Sequence, residues 1–223
     1  MIITFKEISI ACAYKNLIEV DSLDRKSIKE TLKNGYDEAP RYIEIPGPVT
    51  ISIFDYFNNP LFPVQLNFQK NIQLFVLTGK ADLDISEDKI LKIFAKKYKE
   101  LNDANYISLP KKAIGFNFLL SLQAEEGEKI FDDFSSKEFK TLLDDKGRMI
   151  AKGFRIIRID KSNNQRIDFK ADPIVPEIGK AFTYSYNLYI NVHFQPVKPE
   201  LIPTIDSKII DLKKMILKEI EKI

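Results

Sequence analysis

His193 is the only histidine and Cys12 the only cysteine among 223 residues, so a Ser-His-Asp or Cys-His nucleophilic arrangement would have to be built on one of them. Cys12 falls in the apolar phase of an N-terminal strand and belongs to a core. One cysteine and one histidine are also too few for a zinc site of the usual composition. Asp82-Leu83-Asp84 could offer two carboxylates to a metal, but its place just before a helix makes it a turn. Thr78-Gly79-Lys80 lacks the glycines of a phosphate-binding loop. Lys96, Lys97 and Lys99, like Lys213, Lys214, Lys218 and Lys222, sit in the C-terminal parts of predicted helices, where cations complement the helix dipole on a solvated face. The chain carries no evident catalytic constellation, and no cofactor is implied.

Two groups of residues remain. The first is a set of short amides and hydroxyls on the predicted outward face of the strands. It comprises Thr50, Ser52, Gln65, Asn67, Gln69, Gln73, Asn117, Ser121, Thr183, Ser185, Asn187, Asn191, His193 and Gln195. Neutral donors and acceptors on a rigid sheet suit recognition of base edges or peptide groups. Asn67, Gln73, Asn117, Asn187, Asn191 and His193 are the expected binding residues. The second group is Asp160 with Asp168-Phe169-Lys170, which resembles the carboxylate and lysine core of metal-dependent nucleases. That resemblance implies two carboxylates on a magnesium ion and a lysine assisting an attacking water. Nuclease chemistry at Asp160, Asp168 and Lys170 is therefore the alternative to a non-catalytic binding role.

The elements that must position these residues follow from periodicity. Residues 2 to 14 alternate as a strand, with Phe5 out of phase at a bulge. Asp21 or Ser22 offers an N-cap for a helix over about 22 to 34, and Gly35 an end to it. Alternation returns from Arg41, breaks at Pro46-Gly47-Pro48, and resumes at Val49, Ile51 and Ile53. Val64, Leu66 and Phe68, then Ile72, Leu74 and Val76, form a hairpin through Gln69-Lys70-Asn71. With Leu74 and Val76 inward, Phe75 and Leu77 point outward and offer a homodimer contact or the seat of a covering helix. Ser86 caps a helix whose buried stripe is Ile90, Phe94, Tyr98 and Leu101.

A second series follows: a strand over 113 to 123, a broken helix over 125 to 143, strands to Ile159 and through Ile167 and Phe169, and the unbroken alternation Phe182 to Gln195. An amphipathic helix from Asp206, with Ile209, Leu212, Ile216, Ile220 and Ile223 on one face, ends the chain. The pattern predicts an α+β fold made of two β-α-β-β-β-α halves, 1–104 and 105–223. Their antiparallel sheets would join into one curved sheet with all helices on one side.

This order of elements resembles the TATA-box-binding protein family. Asp24 to Leu32, Val49 to Phe54, and Leu77-Thr78-Gly79-Lys80 ahead of Ser86-Glu87-Asp88 carry the resemblance. It implies a saddle, and phenylalanines inserted between DNA base steps. Phe54, Tyr56 and Phe57 lie near the corresponding turn of the first half, whereas Asp160-Lys161-Ser162-Asn163-Asn164 in the second half has no aromatic.

A net charge of +2, from 34 basic and 32 acidic residues, supplies no global field for polyanions, so the partner is either a protein or a nucleic acid held by a local patch. No apolar run is long enough to cross a bilayer, and one cysteine without a signal-peptide pattern fits a cytoplasmic setting.

Overall fold

The computed structural model describes residues 1–33, 38–47, 50–104, 106–107, 109–123, 153–162, 164–174 and 185–221. The predicted helix at 125–143, the expected strand start at 182–184 and Ile223 lie outside them. In chain order the elements are β1 (Ile2–Tyr14), α1 (Arg25–Lys33), β2 (Arg41–Ile45), β3 (Ile51–Tyr56), β4 (Val64–Gln69), β5 (Ile72–Thr78) and α2 (Asp88–Asp103). There follow β6 (Lys111–Gln123), β7 (Phe154–Asp160), β8 (Gln165–Pro173), β9 (Ser185–Phe194) and α3 (Ile205–Ile220). The fold is α+β: the strands form one antiparallel sheet of nine, in the order β2-β3-β4-β5-β1-β6-β9-β8-β7. Four strands follow α1 rather than three, because the alternation at Arg41–Ile45 is a strand in its own right, paired with β3.

The two long strands β1 and β6 pair at the centre, from Ile2 opposite Gln123 to Tyr14 opposite Lys111. Their register shifts between Phe5 and Glu7, which is the bulge that the phase of Phe5 predicts. Phe5, Ile8, Ile10 and Cys12 thereby share the inner face of the sheet with Phe116, Phe118, Leu120 and Leu122. Gly79 closes against the bulge. Its N–H donates to the Lys6 carbonyl at 2.8 Å, and a Cβ there would stand 2.7 Å from the Phe5 carbonyl oxygen.

β5 reverses the predicted phase. Gln73, Phe75 and Leu77 pair with Cys12, Ile10 and Ile8 and face inward, while Ile72, Leu74 and Val76 face outward. Phe75 is fully buried and stacks on Phe94 of α2 with ring centroids 4.7 Å apart. It takes a covering helix and offers no dimer contact. A fully apolar run such as Leu74 to Leu77 carries no two-residue alternation; pairing with β1 and the packing of α2 decide its phase.

β3 is likewise inverted. Ser52, Phe54 and Tyr56 are buried on the inner face, and Ile51 and Ile53 lie on the outer one.

α1 and α2 start later than predicted, whereas α3 starts at Ile205, one residue before the predicted Asp206. Asp24 caps α1, accepting from the Ser27 N–H at 3.0 Å, and α2 begins at Asp88, with Ser86 held in a turn by the Asp84 carboxylate at 2.8 Å. In α2, Leu91, Phe94, Ala95, Tyr98 and Leu101 are buried. Lys97 is buried as well, donating to the Thr31 carbonyl at 2.9 Å and joining α2 to α1. Lys213 donates to the Ser86 carbonyl at 2.9 Å and pairs with Asp88. These two lysines tie elements together instead of facing solvent.

Truncating Phe75 separates the two phases of β5. Phe75→Ala removes a buried ring and its stack on Phe94, and is expected to cost about 3–5 kcal/mol. Ile72→Ala on the exposed side is expected to cost under about 1 kcal/mol. Both are read from chemical denaturation midpoints.

Candidate functional site

The face of the sheet opposite Phe75 is the surface on which the predicted binding residues can act. Cross-strand pairing fixes its rows. One row runs Ile43, Ile53, Asn67, Leu74, Ala11, Gly115, His193, Arg166, Ile159. The next runs Arg41, Asp55, Gln65, Val76, Ser9, Asn117, Asn191, Asp168, Ile157. Antiparallel partners share a face, so every residue in a row is presented together.

Of the predicted binding residues, Asn67, Asn117, Asn187, Asn191 and His193 are on this face and half-buried. Gln73 is not: it is buried on the inner face, where Oε1 accepts from the Tyr14 hydroxyl at 2.6 Å. Ser52 is also an inner residue, donating to the Tyr42 hydroxyl at 2.8 Å. Thr183 lies outside the described residues.

The amides are hydrogen-bonded across strands. Asn117 Nδ2 donates to Ser9 Oγ at 2.9 Å, and Asn191 Nδ2 donates to Asn117 Oδ1, linking β1, β6 and β9. His193 Nε2 lies 3.3 Å from Gln195 Oε1. Gly115 leaves the room for this network, since a Cβ there would approach Asn191 Nδ2 to 3.3 Å. Asn67 Nδ2 donates to Gln65 Oε1 at 3.0 Å, but Asn67 Oδ1 is buried with no hydrogen-bond partner among the described residues. An unmet buried acceptor costs about 1–3 kcal/mol.

Around the amides stands a set of aliphatics that periodicity did not assign to this face. Ile43, Ile51, Ile53 and Leu74 are half-buried, and Ile45, Ile72, Ile157 and Ile159 are exposed. Small residues, Ser9, Ala11, Ala13, Ala113 and Gly115, floor the two central strands between Leu74 and Val76 on one side and Asn191 and His193 on the other. The pairing rows, unlike the sequence, show that the β2–β5 half of this surface is largely aliphatic.

The carboxylates of the alternative reading do not converge. Asp168 and Lys170 are on the outer face, but Asp160 pairs with Gln165 in the inner phase and accepts from the Ser162 N–H at 3.0 Å in the turn after β7. Asp168 accepts from Arg155 Nε and Nη2 at 2.8 and 2.5 Å and from Arg166 at 3.0 Å, while Lys170 pairs with Asp172 at 2.5 Å. Asp168 and Lys170 each meet a protein counter-ion. Among the described residues no three His, Cys, Asp or Glu side chains are grouped to hold a metal ion. Asp84 serves the turn before α2. Cys12 is buried, and burial pushes its thiol pKa up, away from the reactive thiolate. Phe54 and Tyr56 face the core, with Phe54 edge-on to Phe68 at 6.0 Å, so neither can enter a base step from the outer face.

The outer face is electrically balanced. Arg41, Arg155, Arg166 and Lys170 stand against Glu7, Asp55, Asp168 and Asp172. Desolvation holds the Glu7 carboxyl above its usual range. No protein-family model matches the chain, and no curated protein is similar to it. Among the described residues no helix is long and apolar enough to cross a membrane.

The hydrogen bond from Arg155 holds the Asp168 carboxyl below the ordinary aspartate range. A depressed folded-state pKa contributes stability above the unfolded value and loses it as pH falls through the folded one. Carbon-13 titration is expected to show Asp168 ionising below 3.8, with Arg155→Ala moving the midpoint up towards that value.

Proposed function

We propose that the protein is a non-catalytic recognition module that binds a macromolecular partner through the outer face of its sheet, and that the partner is a protein. One observation carries this: the β2–β5 half of the face presents a field of isoleucine and leucine, with Ile45 and Ile72 exposed and Ile43, Ile51, Ile53 and Leu74 half-buried. A surface left to water alone gains nothing from such a field, whereas an interface core of aliphatics with a few amides matches the composition of protein contacts. Charge favours a protein over a nucleic acid. Phosphate binding draws on uncompensated lysine and arginine, and here Arg155, Arg166 and Lys170 are paired with Asp168 and Asp172.

The same proposal extends to architecture. We infer that the chain is a duplicated unit with halves 1–104 and 105–223, arranged as in the saddle of the TATA-box-binding protein family. The strand order supports this: β5 lies beside β1 and β9 beside β6, with β4 and β3 then β8 and β7 continuing outward, so each half places its last strand next to its first. β2 is the departure, since the second half shows no counterpart among the described residues. Helices on a single side are supported by Phe94 stacked on Phe75, Arg25 over Tyr42 at 4.6 Å and Lys208 over Phe194 at 5.1 Å, all of them contacts to the inner phase. The saddle would then present the outer face to its partner without Phe54 or Tyr56 as wedges.

The test is capture by the tagged chain with and without nuclease, repeated across salt concentrations. A protein band that survives nuclease in the wild type, and falls about tenfold or more in the double variant Ile53→Lys with Asn67→Lys at unchanged melting temperature, is the expected result. Capture of nucleic acid that fades as salt rises would replace the protein partner by a polyanion. Capture equal in both chains would remove this face from the function.

A further inference from the structure

We propose that β7 is a self-association edge, pairing antiparallel with β7 of a second copy across a two-fold axis at Ile157. It lies at one end of the sheet, bonded to β8 on one side and to no strand on the other among the described residues. Natural sheets cover or charge such edges. At the opposite edge, α1 packs on the inner face of β2, where Arg25 lies over the Tyr42 ring at 4.6 Å and bonds Glu44 at 2.9 Å. β7 exposes isoleucines to both sides, Ile156 by 43% on the inner face and Ile157 and Ile159 by 49% and 68% on the outer.

The occupant follows from register. A two-fold perpendicular to the sheet keeps the outer faces continuous, and antiparallel partners must share a face, so the axis passes through a residue rather than between two. Centred on Arg158, the pairing would set two arginines directly opposite, which is unfavourable. Centred on Ile156, it would leave Asp160 beyond the end of the β7 ladder. Centred on Ile157, all of Phe154–Asp160 is used: Ile157 meets Ile157, Arg155 meets Ile159, Ile156 meets Arg158, and no like charges stand directly opposite. Arg155 is already neutralised by Asp168, so its stem can lie along the partner's isoleucine. One strand pair is small beside the ~800 Å² per partner of a standard interface, which implies a dimer of micromolar affinity, on the order of 10–100 μM. Ile157 and Ile159 apart, the outer-face reading above is not needed for this one.

Sedimentation velocity over a concentration series is the first measurement, and the wild type is expected to pass from monomer to dimer. Ile157→Lys places two cations on the axis and is expected to weaken the dimer by about tenfold or more at unchanged melting temperature. Ile157→Cys is the second. Opposed Cα atoms in an antiparallel pair are about 4.5–5.5 Å apart, within disulfide reach, so mild oxidation is expected to give a covalent dimer. Cys12 is buried and contributes no background, and Ile45→Cys on β2, at the other end of the sheet, is expected to stay monomeric. A wild type that stays monomeric at several times the expected affinity range would mean the edge is closed within the chain, and would overturn the proposal. So would a dimer that Ile157→Lys leaves intact and Ile157→Cys fails to cross-link.

Discussion

The pairing of β1 with β6 is the constraint on which the rest depends. It is the longest ladder in the sheet, and both strands are covered by strands on their far sides, so their register is inherited by β5 and β4 in one direction and by β9 and β8 in the other. Slipping it by one residue would either turn Ile8 and Ile10 out of the core and bring Ser9 in, or turn Phe116 and Phe118 out and bring Gly115 and Asn117 in. The bulge at Lys6 lets both Phe5 and Ile8 face inward despite their odd spacing. Gly79 then closes on that bulge, so an apparent fragment of a phosphate loop is a packing glycine.

Strands with one wet face were legible in the sequence. β4, β6 and β9 alternate cleanly, and Val64, Phe118 and Leu188 all landed in the core. The phase was lost where both faces of a strand are apolar or where a polar residue is satisfied inside. Leu74 to Leu77 read equally well either way, and only the stacking of Phe75 on Phe94 separates them. Ser52 and Gln73 looked like outward polar residues, yet each forms a hydrogen bond to a tyrosine hydroxyl across the inner face. A single sequence shows that a side chain is polar but not whether a partner lies within reach. The same holds for Lys97, which looked like part of a cationic helix face and is buried against the Thr31 carbonyl.

The candidate site was legible by half. The amides of β6 and β9 were visible because they alternate with large apolar residues, and Asn117, Asn187, Asn191 and His193 do lie together. Their aliphatic neighbours on β2, β3 and β5 were not, because β3 and β5 were assigned the reverse phase and the short alternation of β2 carried no phase at all. Correcting that phase changes the chemistry of the face. A uniformly polar sheet becomes one with an aliphatic half and an amide half, joined over a floor of small residues.

That division bears on how recognition would work. The amides on the β6–β9 side bond one another through Asn191, Asn117 and Ser9, and the charges beyond them are matched within the sheet, so this side is held rigid before any partner arrives. Rigid, internally satisfied polar groups add little binding energy, since every bond offered to a partner replaces one already made. They do penalise a partner that would break the network without replacing it. The β2–β5 side is the reverse: its isoleucines gain free energy from any apolar contact. Affinity would therefore come from the aliphatic half and selectivity from the amide half, with the small residues of β1 and β6 allowing one partner to reach both.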